Sequence, residues 1–290
     1  MPSPARLARI IGVLAVAVAL AACSTIKLGY SNLDDIAFWW MDSYLDFTQA
    51  QTPRVREDLA RLHRWHRTQE LPRFAEILHR MEVLAPHDVS PAQACSFVAP
   101  LRERLRALAD RAEPAAVTLA MDLTPEQVAH LKRQYDKKNA DYRKEWVQLA
   151  AQELRDKRMK QFVQRSELIY GDLDEPQRAV MRRQVNQSIF DPARWLAERE
   201  RRQQDALHTL RKVAGQPLSI SQARVSMHGL IQRVLESPDR AYRAYQQALI
   251  DEACRNLSAL HNSTSPAQRA TAVARLRGYQ KDLRELAAPH

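Results

Sequence analysis

Apolar residues recur along the chain at intervals of three and four, the spacing that gathers side chains on one face of a helix. Ala94, Val98, Leu101, Leu105, Leu108 and Ala112 form one such row. Val128, Leu131, Tyr135, Tyr142, Trp146 and Leu149 form a second. Tyr242, Tyr245, Leu249, Ala253 and Leu257 make a third, and Val273, Leu276, Leu283 and Leu286 a fourth. Nowhere does the chain alternate apolar and polar residues in the manner of a strand. The second row, followed to Tyr170 and stopped by Gly171, predicts a helix of about 45 residues, roughly 68 Å long at 1.5 Å per residue. Such a rod is either a spine for the other helices or broken near Ala150-Ala151.

Between the rows one start signal keeps returning. Ser90-Pro91-Ala92-Gln93, Thr124-Pro125-Glu126-Gln127 and Ser265-Pro266-Ala267-Gln268 each offer a capping hydroxyl, a proline at the first helical position and a glutamine at the third. Asp174-Glu175-Pro176-Gln177 and Ser219-Ile220-Ser221-Gln222 are close variants. The cap oxygen can accept the N3 amide, the glutamine can reach back to the cap, and proline loses nothing where no donor is needed. Thr52-Pro53, Asp191-Pro192 and Ser237-Pro238 are plainer starts. The uneven intervals argue against a regular solenoid. Pro72, Pro100 and Pro114 fall within apolar patterns and are expected to kink or end helices. The fold class read from these signals is all-α: an elongated or two-lobed bundle of eight or nine helices.

Composition narrows the choice. Only 6 of the 290 residues are Gly, while 45% are hydrophobic and 27% charged. That supports a packed core and argues against disorder, a β-sandwich or several glycine-rich phosphate loops.

The first 23 residues carry an address. Arg6 and Arg9 precede an apolar run from Ile10 to Leu20, broken only by Gly12, and then Leu20-Ala21-Ala22-Cys23. The run is too short to span a bilayer, which takes ~20 residues, and has the layout of a secretory signal. Its ending resembles the bacterial lipobox, which implies cleavage before Cys23 and lipidation of that cysteine. Two or more acyl chains make a stable anchor. Ser24, where Asp would favour inner-membrane retention, points by the lipoprotein sorting rule to the periplasmic face of the outer membrane. The expected division is a signal peptide over 1–22, a lipid anchor with a membrane-proximal helix over 23–52, and a helical bundle over 53–290. Loss of Arg6 and Arg9 leaves 42 basic against 34 acidic residues, a net charge near +8. Such a balance suits anionic partners in the envelope, and export argues against nucleic acid.

Aromatic residues crowd behind the anchor. Asn32 can cap a helix on which Leu33, Ile36, Trp40, Tyr44 and Phe47 share a face, with Phe38, Trp39 and Leu45 off it. Nine residues after Cys23 reach at most ~30 Å, so this helix is expected near the membrane surface, with Phe38, Trp39 and Trp40 membrane-proximal; burial of both faces in the bundle is the alternative.

Chemistry is sparse. Phosphate-loop, nucleophile-elbow and paired-histidine zinc motifs are absent. Ser24-Thr25-Ile26-Lys27 matches SxxK by letters alone, without companion motifs. His63, His66 and Glu70 share a helix face and are the best metal candidates, with His79 further on, but no fourth ligand is evident; the plainer reading is a polar, aromatic rim around Trp65. No catalytic residue, metal or cofactor is expected. Cys95 and Cys254, the cysteines left after lipidation, are a disulfide candidate in an oxidising compartment. The bridge would close a loop of about 160 residues, worth at most ~5 kcal/mol in the chain-entropy picture. Two buried thiols are the other possibility.

The segments STIKLGYSNLDDIAFWWMDSYLDF, LHRWHRTQELPRFAEIL and LHNSTSPAQR, taken with the lipobox, resemble a family of Gram-negative lipoproteins of unknown function over essentially the whole mature chain. The resemblance implies that Cys95 and Cys254 occupy recurring positions. A second likeness lies in Leu123-Thr124-Pro125-Glu126-Gln127 and its imperfect repeat Leu173-Asp174-Glu175-Pro176-Gln177, which resemble the LTxxQ motif of Spy-type periplasmic chaperones, although a generic capped helix start looks the same. The functional expectation is a non-catalytic, outer-membrane-anchored lipoprotein that binds or scaffolds, its partners being the membrane and an anionic polymer or protein client. An ATP-independent chaperone is the first alternative and an envelope hydrolase the second. A concave, basic, apolar-rimmed face would favour the chaperone, a flat patch the scaffold and a polar cleft the hydrolase.

Overall fold

The computed structural model describes residues 27–288; the signal segment, Ser24 and Cys23 lie outside them. A helical turn over 27–31 leads into α1 (Leu33–Leu45). There follow α2 (Thr52–Trp65), a π turn (His66–Glu70), α3 (Leu71–Leu84), α4 (Pro91–Cys95) and α5 (Val98–Met121). Next come α6 (Pro125–Tyr142), a second π turn (Arg143–Val147), α7 (Ala151–Tyr170) and α8 (Glu175–Gln187). The chain ends with α9 (Pro192–Val213), α10 (Ile220–Leu235), α11 (Arg240–Asn262) and α12 (Pro266–Ala287). The described residues are all-helical and contain no strand.

With α2 and α3 joined through their π turn, the described residues form eleven helical runs from α1 onward, more than the eight or nine expected. One cause is the short α4, which stops at Cys95 and is separated from α5. Another is the break at 148–150, where the long row of apolar residues does part near Ala150-Ala151. Pro114 corrects an expectation. It sits inside α5, which runs on unbroken for 24 residues. Pro100 falls in the first turn of α5, where an amide donor is dispensable. Pro72 acts as expected: it cannot donate to the carbonyl of Thr68, and the chain there takes the wider π turn, with the Leu71 amide bonding back to His66 O.

All five capping boxes form, each with the hydroxyl or carboxylate accepting the N3 amide and the glutamine accepting the cap amide. Leu123, Leu173 and Val89, the residues just before three of the caps, are buried. The apolar residue before the cap therefore ties these three starts to a core.

The helices pack as two sets. In one, α5 lies on α10, α6 on α9, and α1 on both α2 and α6. Its cores are Val117, Val213, Ala223, Met227 and Leu230, and Leu123, Val128, Leu131 and Leu207. In the other, α3 lies along α12, α7 on α8 and α12, and α11 on α4 and α8. Val163, Tyr170, Leu173, Met181, Leu260 and Ala272 fill its centre.

Candidate functional site

Helix α1 docks through Phe38, which is buried, and through Tyr44 and Leu45, which pack on the core of Leu123, Val128 and Leu131. Asp35 pairs with Arg56 at 2.6 Å and Asp34 with His63 at 3.4 Å, both partners lying on α2. Phe38, between them, is 3% exposed under the Arg56 guanidinium, 3.8 Å from its ring centre. The opposite face is apolar and uncovered: Ile36 is 53% exposed and Trp40 63%, with Leu33 on the same stripe and Trp39 beside it. Of the three aromatic residues singled out near the membrane, Trp39 and Trp40 face solvent and Phe38 does not. Of the face drawn from Leu33, Ile36, Trp40, Tyr44 and Phe47, the first three look outward, Tyr44 is half-buried, and Phe47 lies beyond the end of α1. Among the described residues no helix is long and apolar enough to cross a membrane.

The C-terminal end of that stripe runs into a groove. Trp40 and Tyr44 of α1, Leu59 and Leu62 of α2, Ala115 and Leu119 of α5 and Tyr135 of α6 are among its walls, around a cavity of about 720 Å³. That lies within the range of small-molecule sites, which also share its mostly apolar lining. Burial raises the Tyr135 phenol above its usual value. Three arginines, Arg61, Arg111 and Arg199, stand at the groove. Arg61 is committed to Glu57 and Asp58. Arg111 and Arg199 make no ion pair among the described residues; they lie over aromatic rings, Arg111 at 6.0 Å from Trp65 and Arg199 at 5.9 Å from Tyr142 and 5.7 Å from Trp195. Their charge is therefore free to meet an anion.

A smaller cleft of about 430 Å³ separates α5 from α10 and α11, lined by Arg102, Arg106, Arg243, Gln246 and Gln247. It is polar, but it contains no Ser, Thr, Cys or His, and its one carboxylate, Glu236, lies 3.9 Å from Arg243.

The LTxxQ-like segments do more than cap. Gln127 Nε2 donates to Leu45 O and Asp46 O, both at 3.0 Å, and to Gln51 Oε1 at 2.8 Å. Gln51 Nε2 answers with bonds to Gln127 Oε1 at 3.2 Å and Asp122 O at 2.8 Å. The second pair repeats the pattern. Gln177 Nε2 donates to Gln268 Oε1 at 2.7 Å and Ser263 O at 3.2 Å, and Gln268 Nε2 to Gln177 Oε1 at 2.9 Å and Asp172 O at 2.8 Å. Each pair joins two helix starts distant in sequence through reciprocal amide bonds, and satisfies loop carbonyls that would otherwise be orphaned. Sequence reading missed Gln51. The signal was Thr48-Gln49-Ala50-Gln51, the same T-x-x-Q spacing without the proline, and Thr48 Oγ1 does accept the Gln51 amide at 3.3 Å.

The metal candidates are not brought together. His63 turns to Asp34, and His66 Nδ1 meets the Tyr30 hydroxyl at 2.8 Å. Glu70, 2% exposed, receives Arg104 Nη1 at 3.3 Å on both oxygens. His79 lies 3.6 Å from Glu82. Among the described residues no three His, Cys, Asp or Glu side chains gather as a metal site. Burial lowers the His66 pKa and pushes that of Tyr30 up to about 12. Cys95 and Cys254, by contrast, meet: they form a disulfide with Cα atoms 5.3 Å apart, fastening α4 to α11.

Fold and site together define an all-helical protein with an open, mostly apolar groove among the described residues. The chain belongs to a family of unknown function, DUF6279, whose match covers residues 43–218, from the end of α1 through α9. Comparison with curated proteins and with solved structures finds no match.

Proposed function

We propose that the protein is a non-catalytic lipoprotein of the Gram-negative cell envelope, anchored through Cys23 to the periplasmic face of the outer membrane, and that it binds a hydrophobic partner in the groove. The observation that carries this is the orientation of α1. A helix that has already buried Phe38 and still turns Leu33, Ile36, Trp39 and Trp40 outward has an apolar stripe to place elsewhere. The first described residue, Lys27, follows Cys23 by four residues, at most ~14 Å of chain. The stripe thus begins within reach of an acylated cysteine, where tryptophan prefers to sit, and leads directly to the groove. The disulfide fits an oxidising compartment.

The chaperone reading retains one observation in its favour, the concave, apolar-walled groove edged by uncommitted arginines, and the LTxxQ-like boxes are compatible with it. A photo-crosslinking amino acid at Leu119, used in intact cells, tests the main reading. Its adducts should be confined to the membrane fraction and vanish with the groove-filling variant Ala115→Trp. Cys23→Ala should leave the chain unprocessed and without its outer-membrane location. Adducts that survive groove filling would overturn the assignment of the binding face, and a correctly placed Cys23→Ala chain would overturn the anchor.

A further inference from the structure

Resting on that reading of the groove, we infer that its occupant is the acyl chain of a single-chain anionic amphiphile, a long-chain carboxylate or a lysophospholipid phosphate, drawn from the membrane beneath α1. Three features of the site converge on this chemistry.

The first is what the walls lack. An extended peptide brings an amide donor and a carbonyl acceptor with every residue, and these need partners once water is removed. The groove is built of helices whose backbone groups are already bonded to one another, so no strand edge is offered for β-augmentation. Its walls are chiefly Leu59, Leu62, Ala115 and Leu119 with the aromatic rings of Trp40 and Tyr44. A hydrocarbon chain has no backbone groups to satisfy and matches such a surface by area alone.

The second is charge. Arg111 and Arg199, without carboxylate partners, give an anionic head a place to stay while the tail is buried. A guanidinium suits carboxylate and phosphate alike through paired N–H donors. A wholly apolar ligand would leave both cations unused.

The third is continuity. Trp40 belongs both to the outward stripe of α1 and to the groove wall, and its ring lies 5.0 Å from that of Tyr44, also in the wall. An acyl chain leaving a bilayer under the stripe would meet these rings at the entrance to the groove.

The full chain in phosphatidylcholine vesicles provides the test, with three photoreactive diazirine probes: a palmitate, a one-chain lysophosphatidylglycerol and the uncharged hexadecanol. Labelled positions are mapped by mass spectrometry. The palmitate, the lysophospholipid or both should label α2 and α5 in the groove about tenfold more than the alcohol; which of them does so identifies the head group. Ala115→Trp should abolish groove labelling. Arg111→Gln with Arg199→Gln, surface changes that leave the core intact, should reduce the anionic probes to the level of the alcohol. Equal labelling by all three probes overturns the anionic assignment. Label confined to residues 27–44 and unchanged by Ala115→Trp overturns the acyl site. If the protein instead suppresses aggregation of a denatured protein, loses that ability with Ala115→Trp and takes no acyl label in the groove, the occupant is polypeptide; the lipid inference falls and the binding groove stands. If groove filling changes neither readout, both fall.

Discussion

The two helix sets use the same fastening and end differently. Each contains a reciprocal glutamine pair joining two helix starts, Gln51 with Gln127 in one and Gln177 with Gln268 in the other. Beside the second pair the space is full: Met181 is 2% exposed, and Tyr170 and His261 are buried and bonded to each other at 2.9 Å. Beside the first pair the helices part, leaving the groove between α1, α2, α5, α6, α9 and α10. The closed set also holds the disulfide. Fastening helix starts is therefore separable from filling the space behind them, and the open set has the rigid frame of a core without its contents. That is the arrangement a ligand site needs.

The sharpest way to break this comparison is to remove contents from the closed set. Met181→Ala should cost about 2–5 kcal/mol, because a filled core relaxes only partly around a cavity. Leu62→Ala in the groove wall should cost clearly less, since its side chain already borders open space; chemical denaturation of both variants checks the difference. Equal losses would mean that the groove is as tightly packed as the core. Reduction of the Cys95–Cys254 bridge, which spans 159 residues, should cost about 2–5 kcal/mol and leave groove labelling in place.

The glutamine pairs come next. Gln127→Ala and Gln177→Ala each leave part-buried loop carbonyls and the partner glutamine without their bonds, and each should cost about 1–3 kcal/mol by thermal or chemical unfolding. Gln177, 1% exposed, should be the more costly of the two, Gln127 being 5% exposed. A loss of only a few tenths of a kcal/mol in either would reduce the pair to simple caps.

The closed set should also carry a pH signature. His261 Nε2–H donates to His87 O at 2.8 Å while Nδ1 accepts from Tyr170, so the neutral ring is fully used. Burial lowers the His261 pKa below its ordinary 6.5 and raises the Tyr170 phenol to about 12. Below pH 6.5 the unfolded chain binds a proton that the folded chain refuses, so stability present above that pH is lost as pH falls toward the folded value. Melting temperature should therefore drop from pH 7 to 5.5, and His261→Gln should flatten the slope. A melting temperature that rises with acidification would remove the assignment. The smallest effect on stability belongs to Ala115→Trp, which should shift unfolding by no more than about 1 kcal/mol while emptying the groove of ligand.

Much of the fold was legible because it is local. Capping boxes are written in four consecutive residues, and all five identified from spacing form. The break before Ala151 was legible for the same reason, as a fault in one apolar row. The glutamine pairing was not, since it depends on two starts meeting across 76 or 91 residues of chain. Helix α1 shows the limit of periodicity most clearly. Its apolar stripe was found, yet its direction was decided elsewhere, by the burial of Phe38 and the packing of Tyr44 and Leu45 on residues far away in the chain. Pro114 was misjudged because α5 has tertiary support on its other faces, enough to tolerate one missing amide. The groove itself leaves no mark in any single segment, being the space between six of them.

The π turn at His66–Glu70 has a consequence for how this chain can tolerate insertions and deletions. A π turn is an α-helix carrying one surplus residue, and each residue turns the helix by about 100°. Here the surplus acts as a phase shifter within one continuous rod: α2 shows Leu59 and Leu62 to the groove, while α3 buries Leu71, Ala75 and Ile77 in the closed set. Deleting a single residue from 66–70 would rotate everything downstream by that angle and set one half of the rod against the wrong neighbours. Length in this short stretch is consequently under tighter constraint than residue identity, with Glu70, anchored to Arg104, marking the point from which the count is taken.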